Sequence, residues 1–420
     1  KYTKKNNNKN VFYLAEILKE KLEKQKKFQE IFEIKLKKNE KFQTLSFSII
    51  LKNSKKIFFH FDIATLRDEK YDFSGALPTV IRTDDFSKDI KRRDITINSI
   101  AIQLNSDKNF KLKIIDIYNG FDDLKNKKIK LNYKTSLIDD PTRIFRIIRF
   151  AKRLDFNFDK QTEKNLKNAI KNKFYDRISK TRVLNELKKI FEETKYTKIF
   201  IFMYESGLIK SINKKFRKNT KNLQKILKNF KKFDDFLFYL QIYDFELEFE
   251  KWFIYFLIIC KDLNLSTRRQ IVKDFNFSQD KKENLLINLD KFKNFHNFPI
   301  KKYIKKRGKS KFEDLKNLKN SEIYFLLQNL NTNFIIFLIV VSENKTLQSK
   351  FLNYLLITKN IKLRIDGNFI KNLGIKDGKK ISEILKKILT QKLDYGFKNK
   401  ETEEAFAKNF VSKIKRTQNL

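Results

Sequence analysis

The sequence of 420 residues is short of the side chains that form disulfides and zinc sites. It has one cysteine, Cys260, and two histidines, His60 and His296, which lie far apart along the chain. A single cysteine excludes an internal disulfide, and these three residues offer no Cys/His zinc site. The composition therefore fits a reducing compartment, either the cytoplasm or the matrix or stroma of an organelle.

Glycine, proline and long apolar stretches are scarce as well. The eight glycines are all isolated and there are three prolines, so the sequence contains no pair of adjacent glycines. The longest apolar stretches, residues 252–260 and 334–341, are shorter than the about 20 residues that span a bilayer. We expect both stretches to be buried helices, and we expect no association with a membrane.

Basic residues are abundant. The chain has 94 Lys and Arg against 50 Asp and Glu, which gives a formal net charge of +44. A positive field of this size attracts polyanions, and nucleic acid is the most common partner of this kind. The alternatives are an anionic membrane surface and solubility alone. AT-rich codon usage also accounts for some of the lysines.

The hydrophobic spacing predicts an α+β region followed by a helical one. Residues 11–39 have helical spacing, and two stretches rich in Phe, Ile, Ser and Thr predict strands at 42–53 and 55–67. Residues 92–104 alternate polar and apolar side chains, which predicts a strand with one polar face. Residues 111–131 suggest a pair of short strands around a turn. From about residue 139 onward nearly every segment has helical spacing.

The segment KRRDITIN, residues 91–98, places two adjacent arginines beside one acid. Arg92 and Arg93 suit a polyphosphate, because each guanidinium can donate two parallel hydrogen bonds to phosphate oxygens. The alternative is a structural ion pair from Arg93 to Asp94 or Asp89 at the surface.

The segment DDPTRIFRIIRF, residues 139–150, also has two interpretations. Asp139 or Asp140 can cap a helix that starts at Pro141, with a buried stripe at positions 144, 147, 148 and 151. Alternatively, Asp140 and Arg143 lie one turn apart and can present an acceptor and a planar donor as one fixed hydrogen-bonding edge.

Two further candidates are weak when taken alone. Arg182 and Glu186 are four residues apart on a predicted helix, as in an ordinary surface pair, but they can also brace another side chain. Asp62 lies on a predicted strand, and a carboxylate at a strand end can ligate Mg²⁺.

Together and in this order, these segments resemble the class II tRNA nucleotidyltransferase/poly(A) polymerase family, the CCA-adding enzymes of the polymerase-β superfamily. The resemblance covers nearly the whole chain and is carried by six segments: 62–71, 91–101, 116–130, 139–154, 181–187 and 363–388. It implies an α+β fold, with a partial polymerase-β-type palm followed by an elongated helical neck, body and tail. The implied domains are a palm at 1–132, a nucleotide-selecting neck at 133–205 and a tRNA-binding body and tail at 206–420.

The resemblance also implies roles for individual residues. The family's RRDxxxN motif, which contacts the triphosphate and ribose, matches Arg92, Arg93, Asp94 and Asn98. Its (E/D)DxxRxxR motif matches Asp139, Asp140, Arg143 and Arg146, of which Asp140 and Arg143 would pair with the Watson–Crick edge of ATP or CTP. Its RxxxE motif matches Arg182 and Glu186, its flexible loop matches Arg67, Glu69 and Tyr71, and the third palm carboxylate, a metal ligand, matches Asp62.

One departure from the family is large. A Gly-Gly or Gly-Ser turn followed by Asp-x-Asp should precede residues 11–24, and the sequence has neither. Asn119 also replaces the first of two glycines in the turn at 116–124. Because phosphoryl transfer in this family needs two Mg²⁺ ions, we expect a truncated chain that binds tRNA without adding nucleotides. The first residue, Lys1, and the single methionine, Met203, agree with truncation.

The implied function is template-independent addition of CMP, AMP or both to the 3′ acceptor end of tRNA, with Mg²⁺ as cofactor and ATP and CTP as substrates. The alternatives are a bacterial-type poly(A) polymerase and a non-catalytic RNA-binding relative. Basic and aromatic residues at 301–312 suit contact with an RNA backbone, although a solvated surface explains them equally well.

Overall fold

The structure is a computed structural model that describes residues 11–40, 42–103, 112–216, 219–292 and 318–418. The chain divides into two compact units, Lys1–Lys214 and Lys215–Leu420. Every strand of the described residues lies in the first unit, and the described part of the second unit is helical. The predicted α+β class is therefore confirmed, whereas the domain boundaries at 132 and 205 stay predictions.

The first unit begins with a small helix-and-sheet layer. Its elements are α1 (Val11–Glu23), α2 (Lys26–Ile31), β1 (Phe32–Asn39), β2 (Thr44–Leu51) and β3 (Ile57–Ala64). The strands are antiparallel in the order β1-β2-β3. Val11 and Ala15 of α1 are buried against Leu45 and Phe47 of β2. This packing buries one face of the sheet and leaves Asp62 of β3 exposed.

The two strands predicted at 42–53 and 55–67 are confirmed as β2 and β3, but the single helix predicted at 11–39 is wrong after Ile31. The last part of that segment is β1, in which Ile34 and Leu36 pack on the core while Glu33 and Lys35 alternate with them. Apolar residues two apart fit both a strand and one side of a helix, so pairing with β2 decides the outcome.

The next segment forms short elements. They are β4 (Arg67–Lys70), β5 (Thr79–Arg82), α3 (Phe86–Lys91), β6 (Ala101–Gln103), β7 (Lys113–Ile115), α4 (Gly120–Lys125) and β8 (Lys128–Ile129). β4 pairs with β5 and β6 with β7, both antiparallel.

The strand predicted at 92–104 is wrong except for β6. Residues Thr96–Asn98 form a 3₁₀ turn instead. The carboxylate of Asp94 accepts hydrogen bonds from the Ile95 amide at 3.0 Å and from Asn98 Nδ2 at 3.2 Å. Such local bonds between side chain and backbone compete with the ladder bonds of a strand.

The strand pair predicted at 111–131 is also wrong. α4 separates β7 from β8, and β8 pairs in parallel with β9 (Asn157–Phe158). The helix begins here because Asp116 accepts hydrogen bonds from the amides of Gly120, at 2.7 Å, and Phe121, at 2.9 Å. Asn119 adopts a left-handed conformation, with φ of 55°, which asparagine tolerates better than most residues.

Helices complete the first unit: α5 (Ser136–Asp139), α6 (Thr142–Leu154), α7 (Lys160–Lys171), α8 (Lys180–Glu192) and α9 (Tyr196–Ser206). The stripe predicted for α6 is confirmed, since Ile144, Ile147, Ile148 and Ala151 are all buried. Arg146 lies away from this stripe, and its orientation defines the site described in the next subsection.

The described part of the second unit contains eleven helices: α10 (Thr220–Ile242), α11 (Lys251–Cys260), α12 (Leu265–Phe275), α13 (Gln279–Glu283), α14 (Leu289–Lys291), α15 (Asn320–Leu327), α16 (Thr332–Val341), α17 (Lys345–Leu356), α18 (Gly367–Asn372), α19 (Gly378–Tyr395) and α20 (Lys400–Gln418). The apolar stretches at 252–260 and 334–341 are buried in α11 and α16, as predicted. Within the described ranges, no helix has the length and hydropathy to cross a membrane. His296 and residues 301–312 lie outside those ranges.

Gly120 is the first residue of α4 and directly follows the turn before that helix. Substituting it tests how tightly the start of this helix packs against residues 91–98, called the RRD segment below. A Cβ at this position would lie 2.4 Å from the carbonyl oxygen of Thr96. We expect Gly120→Ala to lower the free energy of unfolding by about 1–3 kcal/mol, because this backbone contact cannot relax easily. Urea denaturation followed by circular dichroism measures the change.

The matched control is Gly378→Ala, where an added Cβ has no heavy atom within 4 Å. We expect a change of less than about 1 kcal/mol there, in the stabilising direction. Equal stability of Gly120→Ala and the unmodified chain would show that the contact is not tight.

Candidate functional site

A cleft of about 700 Å³ lies in the first unit, between the segment after β3 and helices α6 and α8. It brings together most of the residues that the sequence analysis singled out. Its lining consists of Arg67, Glu69, Tyr71, Arg92, Arg93, Asp94, Asn98, Asp140, Thr142, Arg143, Arg146, Phe150 and Glu186. Three of the expected site residues, Asp62, Asp139 and Arg182, do not line it.

One buried carboxylate holds both arginines of the RRD segment. Asp89, in the first turn of α3, is 3% exposed. It pairs with Arg92 Nη2 at 2.7 Å and with Arg93 Nη2 at 3.3 Å. From the sequence, Asp89 was expected only as a surface partner of Arg93. The pairing is confirmed, but its carboxylate is buried and shared between the two arginines.

A second carboxylate, Glu69 of β4, links the flexible-loop residues to this pair. Its Oε1 accepts hydrogen bonds from Arg67 Nε at 3.2 Å and from Arg92 Nη1 at 3.1 Å, and its Oε2 accepts one from the Tyr71 hydroxyl at 2.9 Å. Burial, reinforced by Glu69 against the opposing effect of Arg143, raises the pKa of Tyr71 well above its ordinary value. The Tyr71 hydroxyl therefore stays protonated and acts as a donor at neutral pH.

Asp94 connects the RRD segment to helix α6. Its carboxylate is 5% exposed and uses Oδ1 for the local turn with Ile95 and Asn98. Its Oδ2 accepts a hydrogen bond from Arg146 Nε at 2.8 Å and lies 2.7 Å from Arg146 Nη2. This two-point contact fixes both the distance and the relative orientation of the two segments.

Asp140 is both a helix cap and part of the cleft wall. Its Oδ1 accepts hydrogen bonds from the Thr142 amide at 3.0 Å and from the Thr142 hydroxyl at 2.6 Å. Arg182 Nη2 donates to the same oxygen at 2.7 Å, while Arg182 Nη1 donates to the Gly75 carbonyl at 2.8 Å. Both interpretations of the segment at 139–150 are therefore compatible with the structure.

Arg182 and Glu186 were considered as a surface pair, but in the structure each of them contacts a different residue. Arg182 contacts Asp140 from outside the cleft lining, and Glu186 Oε1 accepts from Lys189 Nζ at 2.8 Å. Packing of α8 on α6 orients Arg182 toward Asp140, which spacing along one helix cannot reveal.

Arg143 is held in one orientation by three partners. It is 4% exposed, and its Nη1 donates to the Tyr133 hydroxyl at 2.8 Å and to Ser136 Oγ at 2.7 Å. Its Nη2 donates to the Arg92 carbonyl. Burial lowers the pKa of Arg143, but Tyr133, Tyr71 and Asp140 outweigh it and the pKa is raised, so the guanidinium stays charged. Sequence spacing gives no signal for Tyr133 or Ser136.

Two buried polar atoms of the lining residues have no hydrogen-bond partner among the described residues. They are Arg93 Nε, a donor, and Glu186 Oε2, an acceptor. Leaving such an atom unpaired costs about 1–3 kcal/mol.

The described residues do not form a magnesium site on their own. Asp62 is 67% exposed in its side chain, accepts a hydrogen bond from Ser46 Oγ at 2.6 Å and lies 3.5 Å from His60 Nε2. In the described ranges, no group of three or more His, Cys, Asp or Glu residues is arranged to hold a metal ion. Mg²⁺ usually needs more than one carboxylate or phosphate ligand. Asp139 is occupied elsewhere, since its Oδ2 accepts from Thr135 Oγ1 at 3.1 Å.

Family models match the two parts of this unit. A model of the poly(A) polymerase head domain matches residues 17–130, and a model described as the probable RNA- and SrmB-binding site of polymerase A matches residues 155–219.

Two curated relatives match over a longer stretch. The A-adding tRNA nucleotidyltransferase of Geobacter sulfurreducens is 30% identical over 333 residues, which are 79% of this chain and 36% of the relative. That of Aquifex aeolicus is 29% identical, over 79% of this chain and 38% of the relative. The chain thus spans well under half the length of these relatives.

Solved structures are similar to the chain over most of its length. A CCA-adding enzyme in an apo form is 28% identical with a TM-score of 0.68, covering 96% of this chain and 85% of that one. A CCA-adding enzyme in complex with ATP is 27% identical with a TM-score of 0.64, covering 97% and 84%. The Thermotoga maritima CCA-adding enzyme in complex with tRNA is 26% identical with a TM-score of 0.63, covering 96% and 85%.

The chain thus combines a match to the poly(A) polymerase head domain with a helical segment that matches the probable RNA- and SrmB-binding site of polymerase A, in a fold similar to that of CCA-adding enzymes. The chain is similar to poly(A) polymerases and tRNA nucleotidyltransferases, and the family resemblance in its sequence is confirmed.

The contact between Asp94 and Arg146 can be tested by a double-mutant cycle with Asp94→Asn and Arg146→Gln. We expect a coupling energy of about 1–3 kcal/mol in chemical denaturation, because both donors of Arg146 share one buried carboxylate.

The control cycle uses Glu163 and Lys167, an exposed pair one turn apart on α7. We expect a coupling energy below about 0.5 kcal/mol there. Equal coupling in the two cycles would mean that Asp94 does not fix the position of α6.

Proposed function

We propose that this chain is the nucleotide-selecting and RNA-binding part of a tRNA nucleotidyltransferase, which adds AMP, CMP or both to the 3′ end of tRNA. ATP and CTP are the proposed substrates, and the tRNA acceptor end is the proposed partner. The observation that carries the proposal is the cleft itself, because its walls hold Asp140 and Arg143 in fixed orientations beside Arg92 and Arg93.

In this proposal Asp140 and Arg143 recognise the base. Asp140 accepts a hydrogen bond from the exocyclic amine that adenine and cytosine share, and Arg143 donates to the neighbouring ring nitrogen. Guanine and uracil have a carbonyl in place of the amine and would face the carboxylate with another acceptor. Asp140 is half-buried, with 18% of its side chain exposed, so we expect such a mismatch to cost about 1–3 kcal/mol.

The fixed geometry of these two side chains supports this role. Asp140 Oδ1 is occupied by Thr142 and Arg182, and among the described residues its Oδ2 accepts no hydrogen bond. Arg143 is held by Tyr133, Ser136 and the Arg92 carbonyl, so it cannot rotate to suit a different base. A rigid edge of this kind selects by shape and by polarity.

Arg92 and Arg93 are the proposed triphosphate ligands, and Glu186 and Asn98 are proposed to contact the rest of the nucleotide. The net charge of +44 fits an RNA partner. Mg²⁺ stays a prediction, since Asp62 is the single described residue that the resemblance assigns to it.

A second candidate is a non-catalytic RNA-binding relative. It is favoured by one observation, that the described residues contain no group of three metal ligands. The two candidates share the cleft and differ in whether a nucleotide is transferred.

Base selection can be measured by titrating the chain with each of the four nucleoside triphosphates. We expect ATP and CTP to bind about tenfold tighter than GTP and UTP, which corresponds to about 1.4 kcal/mol. Arg143→Ala and Asp140→Asn should reduce this ratio to near one, because each removes half of the recognition edge, while tRNA affinity stays nearly unchanged.

The control is Arg153→Ala, a half-exposed arginine of α6 outside the cleft. It should keep the nucleotide preference of the unmodified chain. If Arg143→Ala lowered only the thermal stability and the preference persisted, the base-recognition role would be wrong.

Transfer is tested by incubating the chain with Mg²⁺, labelled ATP, CTP and RNA. We expect tRNA binding without incorporation, because one exposed carboxylate, Asp62, is a poor site for two metal ions. Robust incorporation would contradict this expectation. Addition limited to tRNA ending in CC would indicate an A-adding enzyme, and long tails on generic RNA a poly(A) polymerase.

A further inference from the structure

Asp89 lies next to the cleft without lining it, and its carboxylate accepts four hydrogen bonds. Its side chain is 4% exposed, and both oxygens accept hydrogen bonds. Oδ1 accepts from Arg92 Nε at 3.0 Å, from Arg92 Nη2 at 2.7 Å and from the Arg67 amide at 3.2 Å. Oδ2 accepts from Arg93 Nη2 at 3.3 Å.

This arrangement leaves a defined part of each guanidinium available. A guanidinium has five N–H donors. Arg92 uses Nε and one hydrogen of Nη2 on Asp89, and one hydrogen of Nη1 on Glu69. Its second Nη1 and Nη2 hydrogens have no acceptor among the described residues and are available to phosphate oxygens. Arg93 is fixed at Nη1 by the Asn98 carbonyl, at 3.1 Å, and at Nη2 by Asp89.

Two adjacent guanidiniums repel each other, and each long side chain has many rotamers. A buried carboxylate that pairs with both removes the repulsion and selects one arrangement. An exposed carboxylate would do this weakly, because water screens it.

We propose that Asp89 is a positioning residue that holds Arg92 and Arg93 in the orientation needed to bind the triphosphate of the incoming nucleotide. The inference rests on the proposed function, in which these two arginines are phosphate ligands. Asp89 acts through the arginines and does not itself touch the nucleotide.

Charge and orientation predict opposite effects of Asp89→Asn. The substitution removes one negative charge near the cleft, so a cleft that attracts nucleotides by net charge alone would bind ATP more tightly. It also replaces one carboxylate oxygen by an amide donor, which cannot accept a hydrogen bond from Arg92 or Arg93. If ATP binding depends on the orientation of these arginines, ATP would therefore bind less tightly. We expect ATP affinity to fall about tenfold, in keeping with the loss of hydrogen bonds between charged groups.

The number of phosphates on the ligand separates positioning from a general loss of structure. Titrations with ATP, ADP and AMP should show the effect of Asp89→Asn shrinking as phosphates are removed, and adenosine should be unaffected. A substitution that only loosens the fold would weaken all four ligands by a similar factor.

Glu193→Gln is the matched control. Glu193 also pairs with two arginines, Arg149 at 2.8 Å and Arg153 at 3.5 Å, and its side chain is 12% exposed. It lies outside the cleft lining, so its loss removes the same charge and a comparable double ion pair without touching Arg92 or Arg93. ATP affinity should be unchanged in this variant.

If Asp89→Asn does not fold, Asp89→Glu is the second variant, because it keeps the net charge and displaces the carboxylate by one methylene. It should lower the affinity most for ATP, less for ADP and least for AMP. Failure of the unmodified chain to bind ATP would overturn the proposed function. ATP binding by the unmodified chain that Asp89→Asn leaves equal or makes tighter would overturn the positioning role alone.

Discussion

The two-point contact between Asp94 and Arg146 is the constraint on which the cleft depends. Asp94 belongs to the segment that carries Arg92 and Arg93, and Arg146 belongs to the helix that starts at Asp140. Because the contact joins these two segments, the proposed phosphate ligands and the proposed base-reading residues line one cavity. The hydrogen bond from Arg143 to the Arg92 carbonyl joins the same two segments at a second point.

Around this contact, each cationic side chain of the cleft is matched to a buried or half-buried acceptor. Asp89 and Glu69 hold Arg92, Asp89 also holds Arg93, and Tyr133 with Ser136 holds Arg143. In an anion-binding site, several positive charges must lie close together before the anion binds, although they repel one another. These acceptors offset that repulsion. The same acceptors leave some N–H groups of the arginines without a hydrogen-bond partner among the described residues, so that these groups can donate to an anion.

The sequence predicted much of this site because its motifs act over short distances along the chain. The apolar stripe of α6, the strands β2 and β3 and the grouping of Arg92, Arg93 and Asp94 all follow from local spacing and resemblance. Partners supplied by tertiary packing were not predictable in the same way. Asp89 lies only three residues before Arg92, yet its burial depends on β4, and the contact of Arg182 with Asp140 depends on how α8 packs on α6. The 3₁₀ turn at 96–98 replaced an expected strand because Asp94 captures the amide of Ile95.

The most direct test of the account is a crystal structure of the chain with bound ATP or CTP. The account predicts the exocyclic amine of the base within about 3.2 Å of an Asp140 carboxylate oxygen, and phosphate oxygens at a similar distance from Arg92 or Arg93. A nucleotide bound with its base turned away from Asp140 and Arg143, or bound elsewhere on the chain, would contradict it.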